Sequence, residues 1–279
     1  MRLTSLDYFR GMTIFFMILV SLPGNYYTTH PALLHASWHG FTPTDLVFPS
    51  FLFASGNAIA LTVGKYNLPN HLLVMKVIKR AIIIFTLGIL LYWFPFIDFL
   101  AKELRFFPVS DIRFLGVLQR IAIVYALVSI MSIYISTRGI AIIALLILPV
   151  YWLLLYQLPH GIDPLSIKDN AVLFIDKRII GDAHLYKGEG FPFDPEGLLS
   201  TIPSLVNAMA GFITARFIKA RGISALSVLQ LMVAGVMMIA VAYIWSYSLP
   251  FNKKIWTKLL CLVHIRVRCC NHFLHNAAN

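Results

Sequence analysis

The first 257 residues contain no cysteine, and charged residues make up only 13% of the 279-residue chain. The missing cysteines exclude a disulfide framework over that stretch. The missing charge excludes a soluble domain, in which about a quarter of the residues are charged. Disorder is excluded from the other direction, because 59% of the residues are hydrophobic and the mean hydropathy is +0.78.

What fills the chain is a series of apolar runs, and a hydrocarbon core is crossed by about 20 residues of helix. The fold class read from them is all-α, a polytopic helical membrane protein with about seven spans. They are placed at Leu6 to Leu22, Leu46 to Val63, Ile78 to Trp93, Leu115 to Ile135, Gly139 to Leu158, Leu198 to Ile218 and Ala225 to Tyr247. The first is not read as a cleaved secretory signal, since Asp7 and Arg10 interrupt it and no small-residue cleavage site follows.

The net charge of +11 is read as topology rather than as nucleic-acid binding. With a cytoplasmic N-terminus, the inner segments hold Arg2, Arg10, Lys65, Lys76, Lys79, Arg80, Arg138, Arg216, Lys219 and Arg221. The short outer segments hold only Lys102, Arg105, Arg113, Lys253 and Lys254, and Pro23 to Thr44 lacks Lys and Arg altogether. Pro159 to Gly197 then forms a long outer segment.

Residues 1–257 are read as one transmembrane domain and Lys258 to Asn279 as a separate polar tail, expected to be disordered. All three cysteines (Cys261, Cys269, Cys270) and three of the nine histidines (His264, His272, His275) lie there. Adjacent cysteines fit neither the usual metal-ligand spacing nor a disulfide pair, so no metal site is assigned. A shifted reading frame accounts for the tail: codons can be chosen such that removing one adenine after Thr257 continues the chain as the start of a membrane helix. The chain is accordingly expected to be a truncated product.

Three clusters carry chemistry. The first runs from Pro23-Gly24-Asn25 through His35-Ala36-Ser37-Trp38-His39-Gly40 to Thr42-Pro43-Thr44-Asp45. Thr42 as N-cap, Pro43 at the first helical position and Asp45 two residues on make a variant capping box. Its histidines also admit a functional reading, because imidazole exchanges a proton near neutrality. His35 is the preferred general base; one helical turn would bring His39 to its side, and Trp38 fits an interfacial anchor. The second cluster, Asp194-Pro195-Glu196-Gly197, reads as a helix start with Asp194 as N-cap. The third places Arg120 about one turn inside the fourth span, where an arginine requires a partner or a watery cavity. Asp111 and Asp45 are packing partners to weigh. On the inner face Arg10, Lys79, Arg80 and Arg216 suit either positive-inside bias or a phosphate-bearing substrate.

At this point the chain resembles the heparan-α-glucosaminide N-acetyltransferase family in its shorter bacterial form. The matching stretches are Ser5 to Gly11, His35 to Gly40, Asp45 to Pro49 with Phe51 to Gly56, Gly116 to Arg120, Asp194 to Pro203 and Pro250 to Thr257. The resemblance implies an enzyme of a bacterial cytoplasmic membrane that uses cytosolic acetyl-CoA, as co-substrate, to acetylate the amine of an amino sugar or glycan on the far side. It carries the catalytic histidine onto His35 and places Ser21 where many members have an asparagine. It also implies further spans after Trp256-Thr257, in agreement with the frame reading.

Acyl transfer from a thioester to an amine needs a base and a donor for the tetrahedral oxyanion. His35 serves as base or acyl carrier, Asp45 as the acid that orients the imidazole, and Arg120 or Asn25 as the donor. The expected partners are the glycan acceptor and the lipid bilayer, with no nucleic acid; a homodimer is compatible. The alternative functions are transport of a small anionic solute, weakened by the absence of an inverted repeat, and an inactive truncated membrane fragment.

Overall fold

The computed structural model describes residues 4–21, 29–62, 69–98, 105–106, 108, 110, 112–158, 161, 163–222, 224–247, 249 and 251–257. Asn25, Lys65, Asp111 and the whole tail from Lys258, with the reading-frame expectation attached to it, lie outside the described residues.

Among the described residues the architecture is all-helical apart from one two-residue antiparallel pair. The α-helices are α1 (Thr4–Ser21), α2 (Val47–Thr62), α3 (Asn70–Trp93), α4 (Val117–Tyr134), α5 (Thr137–Gln157), α6 (Ala171–Ile179), α7 (Leu198–Arg221) and α8 (Ala225–Ser246). The strand pair β1 (Ile97–Asp98) and β2 (Arg105–Phe106) lies between α3 and α4, with Ile97 opposite Phe106. Each expected span is thus matched by a long helix. Five helices among the described residues are long and apolar enough to cross a membrane: α2 with its lead-in from Pro43, α4, α5, α7 and α8. The other two long helices carry charge, Asp7 and Arg10 in α1 and Lys76, Lys79 and Arg80 in α3.

Local chemistry sets the helix ends. The Ser136 hydroxyl accepts from the Gly139 amide at the start of α5, and the Ser224 hydroxyl accepts from Ser227 at the start of α8. Asn170 does the same for α6 through the Leu173 amide. At the end of α7, Gly222 takes φ +74°, a left-handed backbone that a side chain would strain.

The bundle is built on α2 against α7. Two glycines permit the approach: a Cβ on Gly56 would sit 1.8 Å from the carbonyl oxygen of Ala208, and one on Gly211 would sit 2.1 Å from that of Phe53. Small residues at a helix interface let backbones pack closely where no hydrophobic effect drives them together. Leu52, Ile59, Val206, Met209 and Phe212 fill this seam, joined by Ile121, Val124 and Val128 of α4 and by Ile140, Ala144 and Leu148 of α5. Helix α3 packs on α4 and α1 on α2. Large apolar residues facing outward, such as Leu145, Ile244 and Met237, fit a hydrocarbon surrounding.

The segment after α5 contains α6 and a short 3-10 turn at Asp182–His184, and it has a core of its own. Leu165, Ala171, Val172, Leu185 and Phe193 pack with Tyr151 and Leu155 of α5, Leu199 of α7, and Leu249 and Ile255 of the segment after α8. This layer covers the end of the bundle where α2, α4 and α7 begin and α3 and α5 finish.

Candidate active site

Asp45 lies in the 3-10 turn Pro43–Leu46 that leads into α2, and the expected capping box is formed there. Its Oδ2 accepts from the Thr42 amide at 3.1 Å and faces the Thr42 hydroxyl at 3.0 Å and the Ala36 amide at 3.4 Å. The Thr42 hydroxyl also lies 2.8 Å from the Leu34 carbonyl oxygen, so its single proton is shared between two acceptors. The other carboxylate oxygen, Oδ1, is 2.8 Å from Nδ1 of His35. The acid side chain is 1% exposed and the imidazole 48%. A buried carboxylate against Nδ1 selects the tautomer with the proton on Nδ1, leaving Nε2 as the nitrogen that carries the lone pair.

The stretch from His35 to His39 is irregular, not a helical turn. Pro31 and Pro43 bracket it, and the two histidines do not act together: the His39 ring packs edge-on against Trp38 with centroids 6.2 Å apart. Trp38 is held from the other side, donating from Nε1 to the Leu165 carbonyl at 2.9 Å and meeting Phe193 edge-on. The histidine loop is therefore braced against the layer that follows α5. Among the described residues, no group of three or more His, Cys, Asp or Glu side chains is arranged around a common metal position.

Lys253 is the charged neighbour that reading the sequence did not bring to this site. Its Nζ lies 3.0 Å from Nδ1 and 3.4 Å from Nε2 of His35, and 3.6 Å from Asp45 Oδ1. Burial pushes its ammonium below the ordinary lysine range, and Asp45 and Glu196 oppose that without cancelling it. The signal available in sequence was the scarcity of outer cations, of which Lys253 is one.

Arg120 is fully buried one turn inside α4. Its Nη2 donates to the Pro195 carbonyl at 3.0 Å, to the Gly197 carbonyl at 3.3 Å and to the Ser200 hydroxyl, and its guanidinium lies over the Trp256 ring at 4.9 Å. It clasps the start of α7 to the segment after α8. Beside it, Arg113 donates from Nε to Asp194 at 2.8 Å and from Nη2 to Asp194 and Glu196 at 2.6 Å each. Burial works against the charge of Arg113, yet the two carboxylates outweigh it and hold the guanidinium above its ordinary value. Burial likewise works to raise Glu196, but Arg113, Arg120 and Lys253 outweigh it and hold the carboxyl low.

Helix α7 begins at Leu198, where the span was placed, but the cap expected of Asp194 does not form: the N-cap position is Gly197. Asp194 is drawn away by Arg113, and the carboxylate at the helix start comes from α6 instead: Asp176 Oδ1 accepts from the Leu198 amide at 2.9 Å. Burial raises the Asp176 carboxyl to about 7.

The remaining candidates lie elsewhere. Ser21 is at the end of α1, its hydroxyl donating to the Met17 carbonyl at 2.6 Å. Arg10, Lys79, Arg80 and Arg216 are exposed on α1, α3 and α7 toward the opposite end of the bundle, where Arg80 lies over Tyr125 at 5.2 Å and Arg216 over Phe212 at 6.0 Å. Arg216 lies sixteen positions after Ser200 on α7, a rise of about 24 Å along the helix axis. The structure thus joins His35, Asp45 and Lys253 in one site and keeps the second basic set apart from it.

Residues 2–174 match the family model described as heparan-alpha-glucosaminide N-acetyltransferase, catalytic. Two curated proteins of that name are similar over 312 aligned positions, the human one at 26% identity and the mouse one at 25%. Each alignment covers 92% of this chain but only 45% and 46% of the relatives, so the chain spans under half the length of the proteins it matches.

Proposed function

The chain belongs to the heparan-α-glucosaminide N-acetyltransferase family, and from that premise we propose that it moves an acetyl group from acetyl-CoA to the amine of an amino sugar or glycan across a membrane. The observation that carries the reading is the exposed His35 ring bonded through Nδ1 to the buried Asp45 at 2.8 Å. A base must reach substrate while being oriented by a group that substrate does not touch, and this pair separates the two tasks.

The chemistry follows from Nε2, the ring nitrogen that carries the lone pair. The acceptor amine attacks the thioester carbonyl carbon, forming the N–C bond and moving the carbonyl pair onto oxygen. Nε2 takes the proton released by the amine. Collapse of the tetrahedral intermediate re-forms the carbonyl and breaks the C–S bond, and the proton on Nε2 leaves with the thiolate as the CoA thiol. Transfer through an acetyl group carried on Nε2 uses the same geometry in two steps.

Orientation follows from charge: Arg10, Lys79, Arg80 and Arg216 belong to the cation-rich end and His35 to the end facing away from the cytoplasm, as positive-inside bias requires. The same four cations are the candidates for the CoA phosphates. A bacterial cytoplasmic membrane is the setting this orientation suits.

The test is formation of N-acetylglucosamine, read by mass spectrometry, when the protein in lipid nanodiscs is given acetyl-CoA and glucosamine. Product is expected from the wild type, and loss of it in His35→Ala with the unfolding temperature unchanged. A wild type that forms no acetylated amine while CoA stays acylated would overturn the reading.

A further inference from the structure

The role first considered for Arg120 or Asn25, a donor for the oxyanion, needs a positive or N–H group beside the base. Arg120 Nη2 is taken up by Ser200, Pro195 and Gly197 and the guanidinium lies over Trp256; its buried Nε and Nη1 have no hydrogen-bond partner among the described residues, and no bond joins it to His35. The cation that stands beside the His35 ring is Lys253, with Nζ 3.4 Å from Nε2.

The turn that carries Lys253 is held in place from several sides. Asn252 Oδ1 accepts from the Lys254 amide at 2.8 Å and the Ile255 amide at 3.2 Å, while the Asn252 amide donates to the Thr257 hydroxyl at 2.9 Å. The Trp256 amide donates back to the Lys253 carbonyl at 3.0 Å. The Tyr151 hydroxyl of α5 donates to the Ile255 carbonyl, and Lys254 pairs with Glu189 at 2.6 Å. One further bond joins this turn to the histidine loop: the Gly40 amide donates to the Phe251 carbonyl at 2.9 Å. Lys253 is thereby positioned before any substrate arrives, which is the condition under which a charge lowers a barrier without reorganising.

Its hydrogen-bonding capacity is not used up by its neighbours. With the Nδ1 proton directed at Asp45, Nδ1 has no lone pair to offer, so the 3.0 Å approach of Nζ is a contact and not a bond. Asp45 Oδ1 lies 3.6 Å away, beyond good hydrogen-bond length. An ammonium has three protons: one is directed toward Asp45 and one toward the Nε2 lone pair at 3.4 Å, which leaves a third for a group lying beside Nε2. The side chain is 16% exposed, so water screens the charge little.

We propose that Lys253 is a catalytic residue of the acyl transfer, its ammonium stabilising the oxyanion that forms when the acetyl carbonyl is attacked beside His35 Nε2. The inference rests on the acetyltransferase reading above. A carbonyl whose attacking amine is within proton-transfer reach of Nε2, about 3 Å, lies next to a cation 3.4 Å from the same nitrogen. Lys253 keeps its protons throughout; the one exchanged with the amine and thiolate travels on Nε2. The same cation serves whether the carbonyl belongs to the thioester or to an acetyl group on His35.

The experiment compares the full chain with Lys253→Met and Lys253→Arg in nanodiscs, following N-acetylglucosamine formation and thermal unfolding together. Lys253→Met is expected to lower kcat by about 100- to 1000-fold, with KM for the amine within about threefold and unfolding within a few degrees of the wild type. Lys253→Arg is expected to recover at least about a tenth of wild-type kcat, since the charge returns in a different shape. An active wild type whose Lys253→Met variant keeps kcat within about threefold would overturn the inference. So would a kcat loss that only tracks the folded fraction and is not recovered by arginine. If Lys253→Met does not fold, Lys253→Gln is judged by the same two criteria. Failure of the acetyltransferase reading itself is seen separately, as an inactive wild type.

Discussion

His35 and Asp45 share one hydrogen bond, 2.8 Å between Nδ1 and Oδ1, across the boundary between exposed and buried surface. Asp45 belongs to the helix cap and to the histidine at once: one oxygen closes the turn before α2 and the other faces the imidazole. The capping and catalytic readings of this residue are therefore compatible.

Asp45→Asn is expected to lower kcat by about 1000-fold or more, because an amide that keeps its oxygen on the Thr42 amide turns its NH2 toward His35 and favours the wrong tautomer. Fold stability should fall by about 1 kcal/mol, the cost of a weakened cap. Single-turnover rates beside thermal unfolding check both. Equal losses in Asp45→Asn and His35→Ala would indicate that the pair acts as a unit.

Arg120→Leu should behave differently, losing stability as well as activity. It removes the buried donor that ties Pro195, Gly197 and Ser200 to α4, at a cost of about 1–3 kcal/mol in all, since the Ser200 hydroxyl still donates to the Pro195 carbonyl and Thr201 to that of Gly197. The exposed Arg178, treated as Arg178→Leu, should change neither by a measurable amount. Similar unfolding temperatures for the two variants would contradict the clasp assigned to Arg120.

Asp176 makes stability depend on pH. Its carboxyl is raised by burial to about 7, above its unfolded value, so the folded chain holds a proton that the unfolded chain has lost. The stabilisation is complete below about pH 4 and is lost as pH rises through about 7. Asp176→Asn retains an oxygen for the Leu198 amide and removes the charge, so the fall between these limits should flatten and the variant should unfold at a higher temperature than wild type at pH 8. Thermal scans across that range, read by tryptophan fluorescence, decide it; parallel pH profiles would refute the assignment.

Gly56→Ala tests the seam between α2 and α7. The new methyl would meet the Ala208 carbonyl oxygen at 1.8 Å, so the two backbones must separate, at a cost of about 1–3 kcal/mol. Unfolding at a lower temperature is expected, and Gly211→Ala should do the same against Phe53. Gly11→Ala, where a Cβ would meet nothing within 4 Å, is the control expected to leave stability unchanged or slightly raised.

The sequence alone determined the all-α bundle, because hydropathy and span length are local properties that survive any packing of the helices. It also determined the turn at Thr42 to Asp45, since proline and capping chemistry act over a few residues, and it singled out His35 and Arg120 as chemically exceptional. Only the tertiary structure decided what these residues face. Lys253 reaches His35 across 218 positions of chain, and Arg113 takes Asp194 away from the helix it was expected to cap across 81. Asp176 then reaches the start of α7 from α6. Such pairings depend on how helix ends converge beneath the layer of residues 161–197, and charge attracts without regard to sequence separation. Spacing along the chain therefore identifies which groups are available for chemistry, while packing selects which of them meet.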